Sequence, residues 1–312
     1  MLRKSLLFLS EREGLKDRLL SVPAARRTAE RFVAGEDLSA AIEVARRLEA
    51  DGFRVTLDYL GESVHDESEA RRVAESYERC FAPIADAGSG ATISLKLTQL
   101  GLDTSFDLCV DNLSGILAAA ADRASFVRID MEGSSHTQLT LDAFKAVSAA
   151  QSNTGVVIQS YLHRSEADVE EMIGRGAHVR LCKGAYQEPS SIAYHRRPDI
   201  DANFVHLARH LLDAGRERPS VGGVPAVAIA THDDEMIEAA RSFVESRAVP
   251  IDSFEFQMLY GVRRDVQKQL LDEGYHVRIY VPYGTEWYPY FMRRMAERPA
   301  NLLFVTRAVL GR

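Results

Sequence analysis

The sequence predicts an α/β barrel made of strand and helix in strict turn. Two observations carry that expectation. From about residue 51 onward, short runs rich in β-branched and aromatic residues alternate with longer runs of helical apolar periodicity, a pattern that implies right-handed crossovers and a parallel sheet. The strand runs number roughly eight, the count that closes a parallel barrel; a doubly wound open sheet is the alternative with the same alternation. A chain of 312 residues fits one domain of this kind or two smaller ones.

The first 50 residues read as a helical segment, 1–50, ahead of a barrel spanning 51–312. LSAAIEVARRLEADG (38–52) ends on a glycine suited to a helix C-cap. The strand runs then follow in order: RVTLDY (54–59), TISLK (92–96), FVRID (126–130), GVVIQ (155–159), AHVRLC (177–182), AVAIA (226–230), SFEFQ (253–257) and VRIYV (277–281). Between them lie helical stretches such as ESEARRVAESYERCFAPIADAG (67–88) and DDEMIEAARSFVESRA (233–248). The least regular connection, KGAYQEPSSIAYHRRPDI (183–200), is long and contains Gly and Pro, the marks of a working loop.

Composition narrows the function. Hydrophobic content of 46% and charged content of 27% describe an ordinary globular chain, and a net charge of −7 offers no general attraction to nucleic acid or anionic lipid. Cys80, Cys109 and Cys182 are odd in number and widely spaced, which fits a reducing compartment, and none matches a zinc pattern. The apolar run near the N-terminus stops at Glu11, Arg12 and Glu13, short of a signal peptide's core of about 7–15 residues. No stretch approaches the ~20 apolar residues that cross a bilayer. HLARH (206–210) has metal-compatible spacing but no third ligand nearby, so it reads as surface and no metal is expected.

In a parallel barrel the chemistry gathers at the C-terminal ends of the strands. Every strand run here delivers a polar group to that rim: Gly61 and Glu62, Lys96, Asp130, Gln159, Arg180 with Lys183 and Gly184, Thr231 and His232, Gln257, and Tyr280. Singly, each is a solvated strand end, and Lys96 with Asp130 could form a rim ion pair. Together they suggest a site. Neither a G-x-G-x-x-G turn nor a P-loop is present, so a bound nucleotide cofactor must use another scheme. The stretch RIYVPYGTEWYPYFMRRMAE (278–297) breaks at Pro282 and Gly284 and resumes as a helix. Tyr290, Arg293, Arg294 and Glu297 share one face of it, beside an apolar stripe of Trp287, Phe291 and Met295.

These segments resemble the proline dehydrogenases, specifically the short monofunctional bacterial form. LDYLGE, SLKLTQLGL, RIDMEGS, VIQSYL, VRLCKGAY, IATHD, EFQMLYGVR, RIYVPYG and YFMRRMAE fall in family order over nearly the whole chain, and KGAY with the terminal RRxxE is the most specific combination. The resemblance implies a distorted (βα)8 TIM-type barrel with N-terminal helices and its last helix over the C-terminal mouth. It implies FAD as cofactor, L-proline as substrate, Δ1-pyrroline-5-carboxylate as product by hydride transfer from C5 to flavin N5, and a membrane quinone as electron acceptor. A cytoplasmic place follows, with room for peripheral contact at the inner face of the membrane. By the same resemblance, Arg293 and Arg294 hold the substrate carboxylate, Lys96, Leu259, Tyr280 and Tyr290 line the proline pocket, and Glu297 partners the arginines. Asp130 and Arg180 are the catalytic pair. Flavin-binding positions are Met131, Gln159, Arg180, Lys183, Gly184, Ala185, Tyr186, Thr231 and His232, with Glu62 and Arg180 forming a gate. The residues alone also allow another flavin-bearing barrel oxidoreductase, or a cofactor-free barrel that binds a carboxylate ligand.

Overall fold

The strands close on themselves. In the computed structural model, which describes residues 31–61 and 64–297 and only the backbone of 293–297, eight parallel strands run β1 to β8 in chain order and β8 pairs back onto β1. They are β1 (Arg54–Tyr59), β2 (Thr92–Leu95), β3 (Val127–Ile129), β4 (Thr154–Gln159), β5 (His178–Cys182), β6 (Val227–Ala230), β7 (Phe254–Leu259) and β8 (Val277–Tyr283). The closing pair runs the full length of β1, from Arg54 opposite Arg278 to Tyr59 opposite Tyr283. That ladder removes the open-sheet alternative.

Side-chain parity explains why these runs form a barrel with a working interior. One set of alternate residues is wholly apolar: Val55 and Leu57, Ile93 and Leu95, Val127 and Ile129, Val179 and Leu181, Ile279 and Val281, all buried in the main core. This set packs beneath the surrounding helices and supplies the hydrophobic driving force. The other set is largely polar, with Val157 and Ala228 among its exceptions, and faces inward, because its hydrogen bonds cross the barrel from β5 to β2 and from β8 to the end of β3. Register keeps the layers aligned, with Thr56 opposite both Thr92 and Tyr280, and Asp58 opposite both Ser94 and Pro282.

The helices follow from amphipathic spacing and side-chain caps. Helix α1 (Leu38–Ala50) starts where the Asp37 carboxylate accepts from Ala40 N–H, and it packs on β1 and β8. Helix α2 (Glu67–Asp86) starts at Asp66 in the same way and buries Ala70, Ala74, Tyr77, Phe81 and Ile84 at helical spacing. Then come α3 (Phe106–Ala121), α4 (Ser134–Ser148), α5 (Ser165–Gly174), α6 (Arg197–Ala214), α7 (Asp234–Arg247), α8 (Arg264–Asp272) and α9 (Trp287–Glu297). Residues 1–30 of the expected N-terminal segment lie outside the described residues. Its described end is tied to the barrel by Ala34 N–H donating to Pro282 O at 2.9 Å and Gly284 N–H to Gly35 O at 3.0 Å.

Helix α9 begins at the C-terminal mouth because only Gly284, Thr285 and Glu286 separate it from β8. Gly284 turns there with φ +122°, a conformation that suits glycine. Trp287 and Phe291, two members of the apolar stripe, are buried, and Phe291 meets the Phe32 ring at 6.3 Å between centroids. Trp287 Nε1 donates to Glu36 at 3.2 Å.

Opposite the mouth, the barrel floor is a charged plug. Arg278 donates to Glu255 Oε1 at 2.7 Å and crosses to Val55 O at 2.8 Å, while Gln257 donates to the same carboxylate at 2.6 Å. Burial would raise the Glu255 carboxyl, but the adjacent Arg278 guanidinium outweighs it and holds the group below its ordinary value. Next to this plug, Arg128 stacks at 5.0 Å on the Phe126 ring, and burial, then the neighbouring Arg180 charge, lowers its pKa to about 9.

Candidate active site

Strand parity aims four chemically distinct side chains at one point above the floor. Arg180, in the middle of β5, donates from Nη1 to Asp130 Oδ1 at 2.6 Å and from Nη2 to Ser94 Oγ on β2 at 2.7 Å. Tyr280 on β8 donates its hydroxyl to Asp130 Oδ2 at 2.7 Å, and its ring lies 5.3 Å from the Arg180 guanidinium carbon. Both Asp130 oxygens are therefore engaged. The Arg180 and Asp130 side chains are only 7% and 11% exposed, and a charge-assisted pair that far out of water is strong and directional.

Lys96 joins from the end of β2 through a residue that the rim reading passed over. Its ammonium lies 3.5 Å from Asp58 Oδ1, so the ion partners are Lys96 with Asp58 and Asp130 with Arg180, where the sequence suggested Lys96 with Asp130. Asp58 is 1% exposed. Burial raises its pKa most, the nearby Lys96 charge opposes that, and the Asp130 carboxylate raises it further. The Tyr280 hydroxyl is pushed well above the usual phenol value by burial and then by the same two carboxylates. Ser94 was legible in principle, standing two residues before Lys96 on the same face; Asp58 had no such neighbour among the rim residues.

Around this centre, Gln159 is buried and donates to Glu132 O at 2.8 Å, fixing the turn that carries Met131, itself buried. Glu132 accepts from Thr98 Oγ1 at 2.8 Å. His232 Nε2 accepts from Leu259 N–H at 2.9 Å, which assigns the ring hydrogen to Nδ1 and links a proposed cofactor position to a proposed substrate wall. Thr231 Oγ1 accepts from Asp233 N–H at 3.1 Å. Tyr290 is buried on α9.

The loop after β5 is more constrained than its composition suggests. Lys183 is gripped by the carboxylates of Asp201 and Asp233, the latter at 2.8 Å, while Ala185 and Tyr186 are exposed. Glu188 reaches back to accept from Ser134 N–H at 2.7 Å, capping α4. Gly184 takes φ +115°, and a β-carbon there would fall 2.2 Å from the Tyr161 ring. Glu62 lies outside the described residues, as do the side chains of Arg293, Arg294 and Glu297, whose backbone is in α9. His206 pairs with Glu166 at 3.0 Å on an exposed surface.

A closed parallel barrel with a buried ionic cluster at the C-terminal ends of its strands defines a (βα)8-barrel enzyme. The comparisons with known proteins then give the family. The sequence model of the family described as proline dehydrogenase matches residues 41–307. The chain is 40% identical over 310 residues to proline dehydrogenase 1 of Bacillus subtilis (strain 168), covering 99% of both chains. It is 37% identical over 313 residues to the proline dehydrogenase of Deinococcus radiodurans, covering 99% of this chain and 97% of that one. The crystal structure of proline utilization A (PutA) from Bdellovibrio bacteriovorus inactivated by N-propargylglycine superposes with a TM-score of 0.79 at 27% identity, over 88% of this chain and 33% of that longer one. The chain belongs to the proline dehydrogenase family, whose oxidoreductases carry out the first step of proline catabolism.

Proposed function

We propose that the barrel mouth binds FAD and L-proline and oxidises proline to Δ1-pyrroline-5-carboxylate, with electrons leaving to a membrane quinone. The observation that carries this reading is the Arg180–Asp130–Tyr280 cluster, a buried set of charged groups with donor capacity left over. Arg180 Nε is buried with no hydrogen-bond partner among the described residues, and buried polar atoms are seldom left unpaired. Gly184, in the loop assigned to the cofactor, takes φ +115° and lets the Tyr161 ring pack where a β-carbon would sit. A polar cofactor is a suitable partner for that surface.

When bound, the flavin supplies a two-electron acceptor that takes the C5 hydride of proline at N5. The chain supplies everything else. Of the two cations suited to the cofactor, Arg180 is the better candidate, since Lys183 is already held by two carboxylates; Gln159, Met131, Ala185, Tyr186, Thr231 and His232 complete the cofactor side. Arg293 and Arg294 are assigned to the substrate carboxylate, which guanidinium forks bind with paired hydrogen bonds. Lys96, Leu259, Tyr280, Tyr290 and Glu297 are assigned to the pocket around it, and Glu62 with Arg180 to its gate. Asp130 is assigned to the amine proton, which must leave before the nitrogen lone pair can form the imine. We place the enzyme on the cytoplasmic side, meeting its quinone through peripheral contact; no described helix is long and apolar enough to cross a membrane.

The reading is tested by releasing the cofactor from purified protein with acid and identifying it by mass, then assaying the reconstituted protein with proline and a soluble quinone. FAD at one per chain with quinone reduction supports it. A chain that takes up no flavin, or that holds one yet reduces quinone only with another donor, refutes it.

A further inference from the structure

Asp130 is an awkward proton acceptor as it stands. Arg180 holds one of its oxygens and the Tyr280 hydroxyl the other, at 2.6 Å and 2.7 Å. An O–H on Asp130 makes the group a poorer acceptor than the carboxylate, so the donors bonded to it are weakened and one can turn away. A guanidinium has fixed donors, so the one able to move is the phenol hydrogen, which rotates about a single bond. A hydrogen that turns inside a dry barrel needs another acceptor, or it is left unsatisfied at a substantial cost.

Asp58 is that acceptor. It shares the inward parity of β1 with Thr56, the register partner of Tyr280, sits opposite Ser94 and Pro282, and is close enough to interact with Tyr280 as well as Lys96. Its contact with Lys96 is long, at 3.5 Å, which leaves its carboxylate free to take a stronger donor. We propose that Asp58 is a positioning residue of the proline-oxidising site: it fixes Lys96 and receives the Tyr280 hydrogen when Asp130 takes the amine proton, so that the two carboxylates work as one pair bridged by the phenol.

This rests on the assignment of Asp130 to the amine proton. The step balances without any further reactant. The ammonium N–H bond breaks with its electrons staying on nitrogen, an O–H bond forms on Asp130, and the Tyr280 hydrogen turns from Asp130 to Asp58. The proton is lost to water after product leaves.

The pair has a pH signature. The groups facing it are Lys96 beyond β2, Arg180 and Cys182 on β5, Arg128 on β3, Tyr280 and Tyr283 on β8, and Tyr77 on α2. Burial pushes the Cys182 thiol up to about 12 and the three phenols above their usual value. Neither the thiol nor the phenols titrate at acid pH; burial raises the Asp58 carboxyl against the Lys96 charge, and Glu132, also raised by burial, faces the same lysine. The Asp130 charge raises Asp58 further, so removing the Asp58 charge or its Lys96 counter-charge should show in the acid limb of proline oxidation.

The test is the profile of kcat/KM for proline between about pH 5 and 9 in flavin-loaded protein. Asp58→Asn should move the acid limb to lower pH, and Asp58→Glu should leave it in place. Lys96→Gln should move it to higher pH, because a cation beside the pair is removed; this variant decides the matter if Asp58→Asn does not fold. A limb that stays fixed in Asp58→Asn while only KM rises, or a Lys96→Gln limb that does not move, overturns the proposal. Wild-type protein that fails to oxidise proline would instead overturn the parent reading, before any variant is compared.

Discussion

Arg180 and Asp130 meet at 2.6 Å inside the barrel although a whole strand, β4, stands between the elements that carry them. The contact spans the interior, so it fixes two barrel segments and one charge pair together.

Removing the charge of Asp130 should therefore damage catalysis more than folding. A hydrogen bond to a charged group contributes about 1.5–3 kcal/mol, so Asp130→Asn should lower kcat/KM for proline by about 10- to 100-fold. Steady-state kinetics checks this, and a loss below about threefold would remove Asp130 from the site.

The Tyr280 hydroxyl is separable from its ring. Tyr280→Phe keeps the aromatic face 5.3 Å from the Arg180 guanidinium but deletes the donor to Asp130. The expected outcome is a fall in kcat of about tenfold with a smaller change in KM. A variant with unchanged kcat would show that the hydroxyl has no part in turnover.

The barrel floor controls stability and its acid limit. Glu255→Gln leaves Arg278 buried and short of a counter-charge, which should cost about 3–5 kcal/mol in urea unfolding. Glu255 is held below its ordinary value of 4.5 by Arg278 against the pull of burial. Its contribution is therefore fully present above about pH 4.5 and is lost as pH falls through the lower folded-state value. Wild type should lose stability steeply below that point; Glu255→Gln should lose less. Equal slopes would contradict the assignment.

Gly184→Ala forces a residue with a β-carbon into φ +115° and against the Tyr161 ring at 2.2 Å. The strain is of order 1–3 kcal/mol, and it falls on the loop assigned to the cofactor. Purified variant should carry less FAD and bind added FAD at least fivefold more weakly, measured by quenching of flavin fluorescence. Wild-type affinity would place the cofactor elsewhere.

Strand order was legible because each strand of this barrel has one uniformly apolar face, as Val55 and Leu57 or Ile279 and Val281 show. The rim residues Lys96, Asp130, Arg180 and Tyr280 could be found at strand ends for the same reason. Their partners were harder to find. Asp58 and Ser94 look like ordinary strand polar residues until closure brings β8 beside β1 and β5 across from β2. The grip of Asp201 and Asp233 on Lys183, and of Glu188 on Ser134, depends on how loops fold back, which no periodicity records. The roles of Arg293, Arg294 and Glu297 came from resemblance alone.

In the proposed reaction this barrel passes the C5 hydride of proline to a bound flavin. The most direct measurement of that transfer is anaerobic stopped-flow mixing of the flavin-loaded protein with L-proline and with proline deuterated at C5. The visible flavin band should bleach with both, and more slowly with the deuterated substrate. A band that persists with proline, or that bleaches with no dependence on C5 deuteration, would contradict it.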